Sequence, residues 1–223
     1  MRSMPADRFE GIYGRLYNRV IQTPALRRVV FSLWGSADPI LDLERIVAAA
    51  AAEVGSGVLL DVPCGGGTML PLLGRARFDG TVIESDLADA MMRRAASVNA
   101  RLRPSFAVRF VQADGRELPL DESTVDGVIS INGLHVIPAP ERFVAELARV
   151  IRPGGSLRLI TPVSSTAIRG RVILKAARAL GITPAPPPTA EQLHAMLEAA
   201  GFRIRQSLGG TSITGVICDR VAE

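Results

Sequence analysis

Four polar residues, Asp61, Asp86, Asp114 and Asn132, each stand at or just beyond the end of a short apolar run, and Gly65, Gly66 and Gly67 follow the first of them. Glycines in a turn let backbone N–H groups come close to a ligand, and the helix start behind them is electropositive. An acid placed before such a turn points to a ligand that also carries a cationic group. A carboxylate is the common side chain that accepts from two vicinal hydroxyls or pairs with an ammonium. For proton chemistry the chain offers two histidines. His135 closely follows Asn132, where it either orients the loop or serves the reacting atoms. His194 lies beside Leu193, Met196 and Leu197 and reads as a helix-surface residue.

The elements that must position these groups can be read in order. Val58 to Asp61 is an apolar strand running into the glycine turn, and the apolar run Met69 to Leu73 begins the helix behind it. Further strands are expected at Thr81 to Ser85, Ala107 to Gln112, Val125 to Ile131 and Leu157 to Thr161. A helix is expected over Leu87 to Ala100. Another opens at Pro140, carries Phe143, Val144, Leu147, Val150 and Ile151 on one face, and ends at Pro153-Gly154-Gly155. Ile168 to Leu180 reads as a basic amphipathic helix. Thr189 caps a last helix with Glu191 and Gln192 in its first turn. Arg203 to Leu208 and Ser212 to Asp219, separated by Gly209-Gly210-Thr211, read as a hairpin.

Strands alternating with helices imply a Rossmann-like, doubly wound, mostly parallel α/β sheet of seven strands, closed by a carboxy-terminal antiparallel hairpin. In such a sheet ligands sit outside the carboxyl ends of the strands. Buried strands have no packing reason to stop repeatedly on a polar side chain, so the four aligned ends mark one site. Residues 1–45 form an amino-terminal helical cap and 46–223 the core, with a helical insertion around 165–188. The cap's stripe of Phe9, Ile12, Tyr13, Leu16, Tyr17 and Val20, followed by Leu26, Val29, Val30, Leu33 and Trp34, reads as packing on the core or as cover for a pocket.

A chain of 223 residues is the size of one α/β domain with a substantial core. No apolar run approaches the roughly 18–20 residues of a membrane span, and no signal peptide is expected. Peripheral membrane contact stays open. Cys64 and Cys218 are too few for a disulfide framework or a zinc site, and no metal is expected; the expectation is a reduced, cytoplasmic protein. The pI is about 9.8, but the basic residues, nearly all Arg, are scattered over expected helices and loops. A nucleic-acid footprint would need a concentrated stripe.

The ordered motifs resemble those of class I S-adenosylmethionine-dependent methyltransferases. The turn Asp61-Val62-Pro63-Cys64-Gly65-Gly66-Gly67 is similar to the family's Asp-x-Gly-x-Gly-x-Gly except at Pro63. Asp86-Leu87-Ala88-Asp89-Ala90-Met91-Met92 resembles its second motif and Asp114-Gly115-Arg116-Glu117 its third. Leu134-His135-Val136-Ile137 and Arg152-Pro153-Gly154-Gly155 match later signatures. The resemblance implies S-adenosyl-L-methionine as cofactor. It implies that Asp61 holds the methionine ammonium and that the turn Pro63, Cys64, Gly65 and Gly67 packs against the methionine moiety. Asp86 is expected to accept both ribose hydroxyls, with Leu87 and Met91 beside the adenine. Asp114 takes the adenine amino group, with the Gly115 and Arg116 backbone nearby. Asn132 and Leu134 line the methyl-donor end. Proline fixes φ near −65° and lacks a donor, so the turn either has that φ already or binds differently.

Two other enzyme classes fit less well. The dinucleotide fingerprint Gly-x-Gly-x-x-Gly fails, because Leu70 stands where its last glycine belongs, and an anionic pyrophosphate sits badly beside Asp61. Methylation of nucleic-acid bases calls for an Asn/Asp-Pro-Pro-aromatic run where Asn132-Gly133-Leu134-His135 stands, and aromatic content is only 4%. A non-catalytic binder of the same fold has Pro63 in its favour. The acceptor is expected to be a small, largely apolar molecule such as a quinone, lipid or natural-product precursor. Tyr13, Tyr17, Trp34 and His135 are the candidate acceptor contacts, with His135 the candidate base. The oligomeric state is not assigned.

Overall fold

The computed structural model describes residues 43–164, 168–179, 185–209 and 212–221. The expected amino-terminal cap, with Tyr13, Tyr17 and Trp34, lies outside the described residues apart from its last turn. In chain order the elements are α1 (Leu43–Val54), β1 (Val58–Asp61), α2 (Met69–Arg75), β2 (Thr81–Asp86), α3 (Asp89–Leu102), β3 (Ala107–Gln112), β4 (Val125–Ile131), α4 (Pro140–Val150), β5 (Ile151–Pro162), α5 (Ile168–Ala179), α6 (Ala190–Ala199), β6 (Phe202–Gly209) and β7 (Ile213–Arg220). They build one seven-stranded sheet in the order β3-β2-β1-β4-β5-β7-β6. β1 through β5 pair in parallel, and β7 runs antiparallel to both β5 and β6.

The two-residue period of the central strands explains why both sheet faces are covered. Leu60, Ile83, Val128 and Leu159 join a core with Phe143, Val144 and Leu147 of α4 and Leu193 and Leu197 of α6. Their chain neighbours Leu59, Val82, Ile129 and Ile160 point the other way, into a core with Leu43 and Val47 of α1 and Leu70 and Leu73 of α2. Each such fully buried side chain contributes roughly 1.5–3 kcal/mol relative to an exposed one. β3 is the edge beyond β2 and is largely exposed, Phe110 included.

Helix ends follow local chemistry. At α6 the Thr189 hydroxyl accepts from the Gln192 N–H and the Gln192 side chain accepts from the Thr189 N–H, a complete capping box. Pro140 opens α4 behind Ala139, which holds the left-handed conformation. Arg152 to Gly155 do not end that helix as expected: the chain turns extended at Ile151 and begins β5 there. The four residues form a bulge, because Val125 pairs with Ile151 but Gly127 pairs with Ser156. Gly154, at φ 76°, supplies the bend. The bulge leaves Arg152 Nε 2.5 Å from Asp126 Oδ1, while Asp126 Oδ2 accepts from the Val58 N–H at 2.7 Å and fixes the start of β1.

Order 3-2-1-4-5 places the reversal of winding between β1 and β4. A crevice opens at such a reversal, at the carboxyl ends of the strands. Asp61 ends β1, Asp86 ends β2, and Asp114 and Asn132 follow β3 and β4 at that edge.

Candidate active site

The turn after β1 is stitched to its neighbours by backbone bonds. Val62 N–H donates to Ile129 C=O (3.1 Å), Cys64 N–H to Ser85 C=O (2.8 Å) and Gly67 N–H to Cys64 C=O (3.2 Å). The Gly65 N–H donates to Asp86 Oδ2 at 2.9 Å, and the Ala88 N–H donates to Asp86 Oδ1 at 2.9 Å. Asp86 thus ties the glycine turn to the start of α3, and each of its oxygens keeps capacity for a second donor.

The glycines in the turn have different uses. Both are left-handed, Gly65 at φ 53° and Gly67 at φ 74°. A side chain at Gly65 would meet nothing within 4 Å among the described residues, which leave open space there. At Gly67 it would stand 2.9 Å from the Cα of Ala95, so that glycine lets α3 approach the turn. Pro63 follows a cis peptide bond, and its ring lies against Gly133. Cys64 is buried, its Sγ 3.6 Å from the Gly65 carbonyl and 3.9 Å from Met92 Sδ. Burial pushes its thiol pKa well up, so it stays protonated.

The acids experience unlike surroundings. Asp61 is 2% exposed, and its Oδ2 has no hydrogen-bond partner. Burial first, then the charges of Glu84 and Asp86, raise its pKa well above the usual carboxylate range. Asp86 is also raised by burial, opposed by the N–H groups of Ala88, Gly65 and Leu87. Asp114 goes the other way. The Arg116 guanidinium holds it, with Nη2 2.5 Å from Oδ2 and Nε 2.9 Å from Oδ1, and lowers its pKa. The same guanidinium donates to the Pro138 carbonyl at 3.3 Å, linking the loop after β3 to the one after β4.

Leu87 is half exposed beside Asp86, an open apolar surface, whereas Met91 and Leu134 are buried. Gly115 is required by Phe143, whose Cε2 would stand 2.8 Å from a side chain there. Asn132 is left-handed at φ 57°, its N–H donates to Ile160 C=O at 2.8 Å, and its buried Oδ1 has no partner. His135 follows in a short 3-10 turn, Leu134–Val136, with Nδ1 buried and unpartnered. Burial lowers its pKa to about 4, so the ring is neutral near pH 7. His194 lies apart, Nε2 3.1 Å from Ser207 Oγ.

One residue at this edge was not singled out from sequence. Glu84 of β2 is fully buried with neither oxygen in a well-formed hydrogen bond; burial pushes its pKa up to about 8, weak donation from the nearby Cys64 thiol opposes the rise, and the charge of Asp86 adds to it. The signal was available: an acid two residues before Asp86 falls on the same strand face.

Residues 60–159 match the family model described as a methyltransferase domain. Residues 60–159 thus resemble a methyltransferase domain, and the fold is that of solved S-adenosylmethionine-dependent methyltransferases. An uncharacterised protein of Mycobacterium tuberculosis is 31% identical over 137 residues, 58% of this chain and 48% of that one. A fatty-acid O-methyltransferase of Mycolicibacterium smegmatis is 32% identical over 111 residues, covering 48% and 38% of the two chains. The chain spans about half or less of the length of these relatives. A solved S-adenosylmethionine-dependent methyltransferase of Aquifex aeolicus superposes with a TM-score of 0.63 over 80% of this chain and 89% of that one, at 23% identity. Among the described residues no helix is long and apolar enough to cross a membrane.

The cofactor of this class is S-adenosylmethionine, and the residues present fit it. Asp61 Oδ2 and Asn132 Oδ1 are buried acceptors without partners, Gly65 fronts space that is open among the described residues, and Leu87 is an exposed apolar surface next to Asp86, whose oxygens keep acceptor capacity. A ligand with a cationic amino-acid end, a diol and a flat apolar base would find a use for each of them.

Proposed function

We propose that the protein transfers a methyl group from S-adenosylmethionine to a small, largely apolar acceptor. The observation that carries the reading is the Gly65 N–H to Asp86 Oδ2 bond, which places the open side of the glycine turn beside an acid with acceptor capacity to spare. In this reading Asp86 accepts from the ribose hydroxyls and Leu87 packs on the adenine. Asp61 faces the ammonium, and Asn132 Oδ1 accepts a donor at the methionine end. Asp114 takes the adenine amino group at Oδ2 in place of the long 3.2 Å bond from Arg116 Nε.

When bound, the cofactor supplies a methyl group already activated as a sulfonium substituent. The chain then has to hold an acceptor in line at near-attack distance and keep water out. With a pKa of about 4, His135 is far from the ideal of a general base near neutrality. Its role here is that of a neutral hydrogen-bonding group that orients the acceptor. The apolar spacing of residues 9–34 makes that segment the candidate cover, with Tyr13, Tyr17 and Trp34 as acceptor contacts. The fatty-acid O-methyltransferase among the relatives supports an apolar acceptor.

A reading as an adenosyl-ligand binder without turnover has one observation in its favour, the weak basicity of His135. Incubation with isotopically labelled donor and, separately, fatty acids, quinols and polar metabolites distinguishes the two. Label is expected in the apolar acceptors. Transfer only to charged, polar metabolites or to RNA would refute the acceptor class, and binding without any transfer would favour the binder.

A further inference from the structure

Glu84 takes no part in the function proposed above, yet its surroundings need an explanation. It lies in the middle of β2 and pairs in register with Asp61 on the adjacent parallel strand β1. Strand alternation puts it on the same face as Asp86, two residues on. It is 0% exposed with neither carboxylate oxygen in a well-formed hydrogen bond, its one weak donor being the Cys64 thiol, and Asp61 across from it is 2% exposed with Oδ2 unpartnered. The titratable groups that bear on Glu84 are Asp61 on β1, Asp86 on β2 and the Cys64 thiol in the turn. Two are acids and the third is a neutral thiol.

Two unpaired carboxylates at neighbouring positions in a dry interior cannot both ionise without a large desolvation and repulsion cost. The economical state is a pair that holds one proton between them and titrates as a unit. We propose that Asp61 and Glu84 share a proton beneath the glycine turn, that a cationic ligand group arriving at Asp61 expels this proton to solvent, and that Glu84 is therefore a positioning residue. The inference rests on the reading that the ligand at this edge is S-adenosylmethionine, whose methionine end carries ammonium and sulfonium charges. It adds that the empty site presents a nearly neutral floor and becomes fully anionic only when a cation is there to compensate it. The raised pKa values of Asp61 and Glu84 agree with that state.

The sign of the linkage follows. Because the bound state holds fewer protons, affinity rises with pH while the empty pair is protonated and levels off once it is not. The slope approaches about tenfold per pH unit below roughly pH 8 if one proton is released.

Titration calorimetry with S-adenosylmethionine in two buffers of different ionisation enthalpy counts that proton. The wild-type protein near pH 7 is expected to release about half to one proton per ligand, and Glu84→Gln is expected to bind with that release lost. The ligand's own amino group titrates identically with both proteins, so the difference between them is the readout. A purely structural role for Glu84 would change affinity without moving the proton count. Wild-type binding with no proton released between about pH 6 and pH 8 overturns the inference and leaves the reading of the site intact. An equal release by Glu84→Gln overturns it as well. No binding by the wild-type protein at any pH overturns the reading and the inference together. Should the variant fail to fold, the wild-type proton count near pH 6 decides, where the ligand's amino group is already protonated and contributes nothing.

Discussion

The ring of Pro63 lies so close over Gly133 that a side chain there would stand 2.2 Å from the proline Cδ and 2.6 Å from its Cγ. The proline that departs from the family's first motif is thus accommodated by a glycine in a different loop, just past β4. The contact joins the turn that follows Asp61 to the segment carrying Asn132 and His135.

Gly133→Ala therefore forces the two loops apart. Its φ of −96° is ordinary for any residue, so the cost is steric. Overpacking of this kind costs about 1–3 kcal/mol, which in a chain of this size lowers the melting temperature by several degrees. Gly209→Ala, whose new methyl group would meet nothing within 4 Å among the described residues, is the control and is expected to be nearly neutral. Thermal melts of the two variants check this; equal melting temperatures would show that the loops yield freely.

His135 should reveal itself through acid stability. Its folded pKa of about 4 lies below the ordinary value of 6.5, so unfolded chains bind the proton more readily. Its contribution is complete above about pH 6.5 and is lost as pH falls toward 4, on the order of 3 kcal/mol in all. His135→Gln cannot take up that proton. Its melting temperature is expected to drop about 5 °C less than that of the wild-type protein between roughly pH 7.5 and pH 5. Parallel pH profiles for the two proteins would show that the ring is free to protonate in the fold.

Asp114 is engaged by Arg116 through both oxygens, yet the reading keeps it as an adenine acceptor. Removing the carboxylate in Asp114→Ala should weaken cofactor binding about tenfold, the worth of one hydrogen bond. Arg116→Ala should weaken it less, because the carboxylate survives while only its tether to the Pro138 carbonyl is lost. Dissociation constants for both variants decide the order; a larger loss in Arg116→Ala would make the guanidinium the ligand contact.

The parts of this molecule that repeat a local rule were legible in the sequence. Strand periodicity, the Thr189–Gln192 cap, the Pro140 helix start and the polar strand ends each depend on neighbours in the chain, and each stands where expected. What escaped depends on pairing across the sheet. Arg152 to Gly155 have the composition of a helix stop, but pairing with β4 turns them into a bulge. Glu84 lies inside a strand, and its meaning comes from Asp61 opposite it, which its chain neighbours do not reveal. That Met91 and Leu134 are buried and that Gly67 admits α3 was not legible either, since spacing alone does not say which side of a loop a helix will cover.

The central claim is that acids closing successive parallel strands converge on one adenosyl ligand, with Asp86 at the junction of turn and helix. Calorimetric titration of the wild-type, Asp86→Ala and His135→Gln proteins with S-adenosylmethionine tests it most directly. One-to-one binding is expected for the wild-type protein, weakened about a hundredfold or more in Asp86→Ala and little changed in His135→Gln. Unchanged affinity in a folded Asp86→Ala variant, or no binding by the wild-type protein, would contradict it.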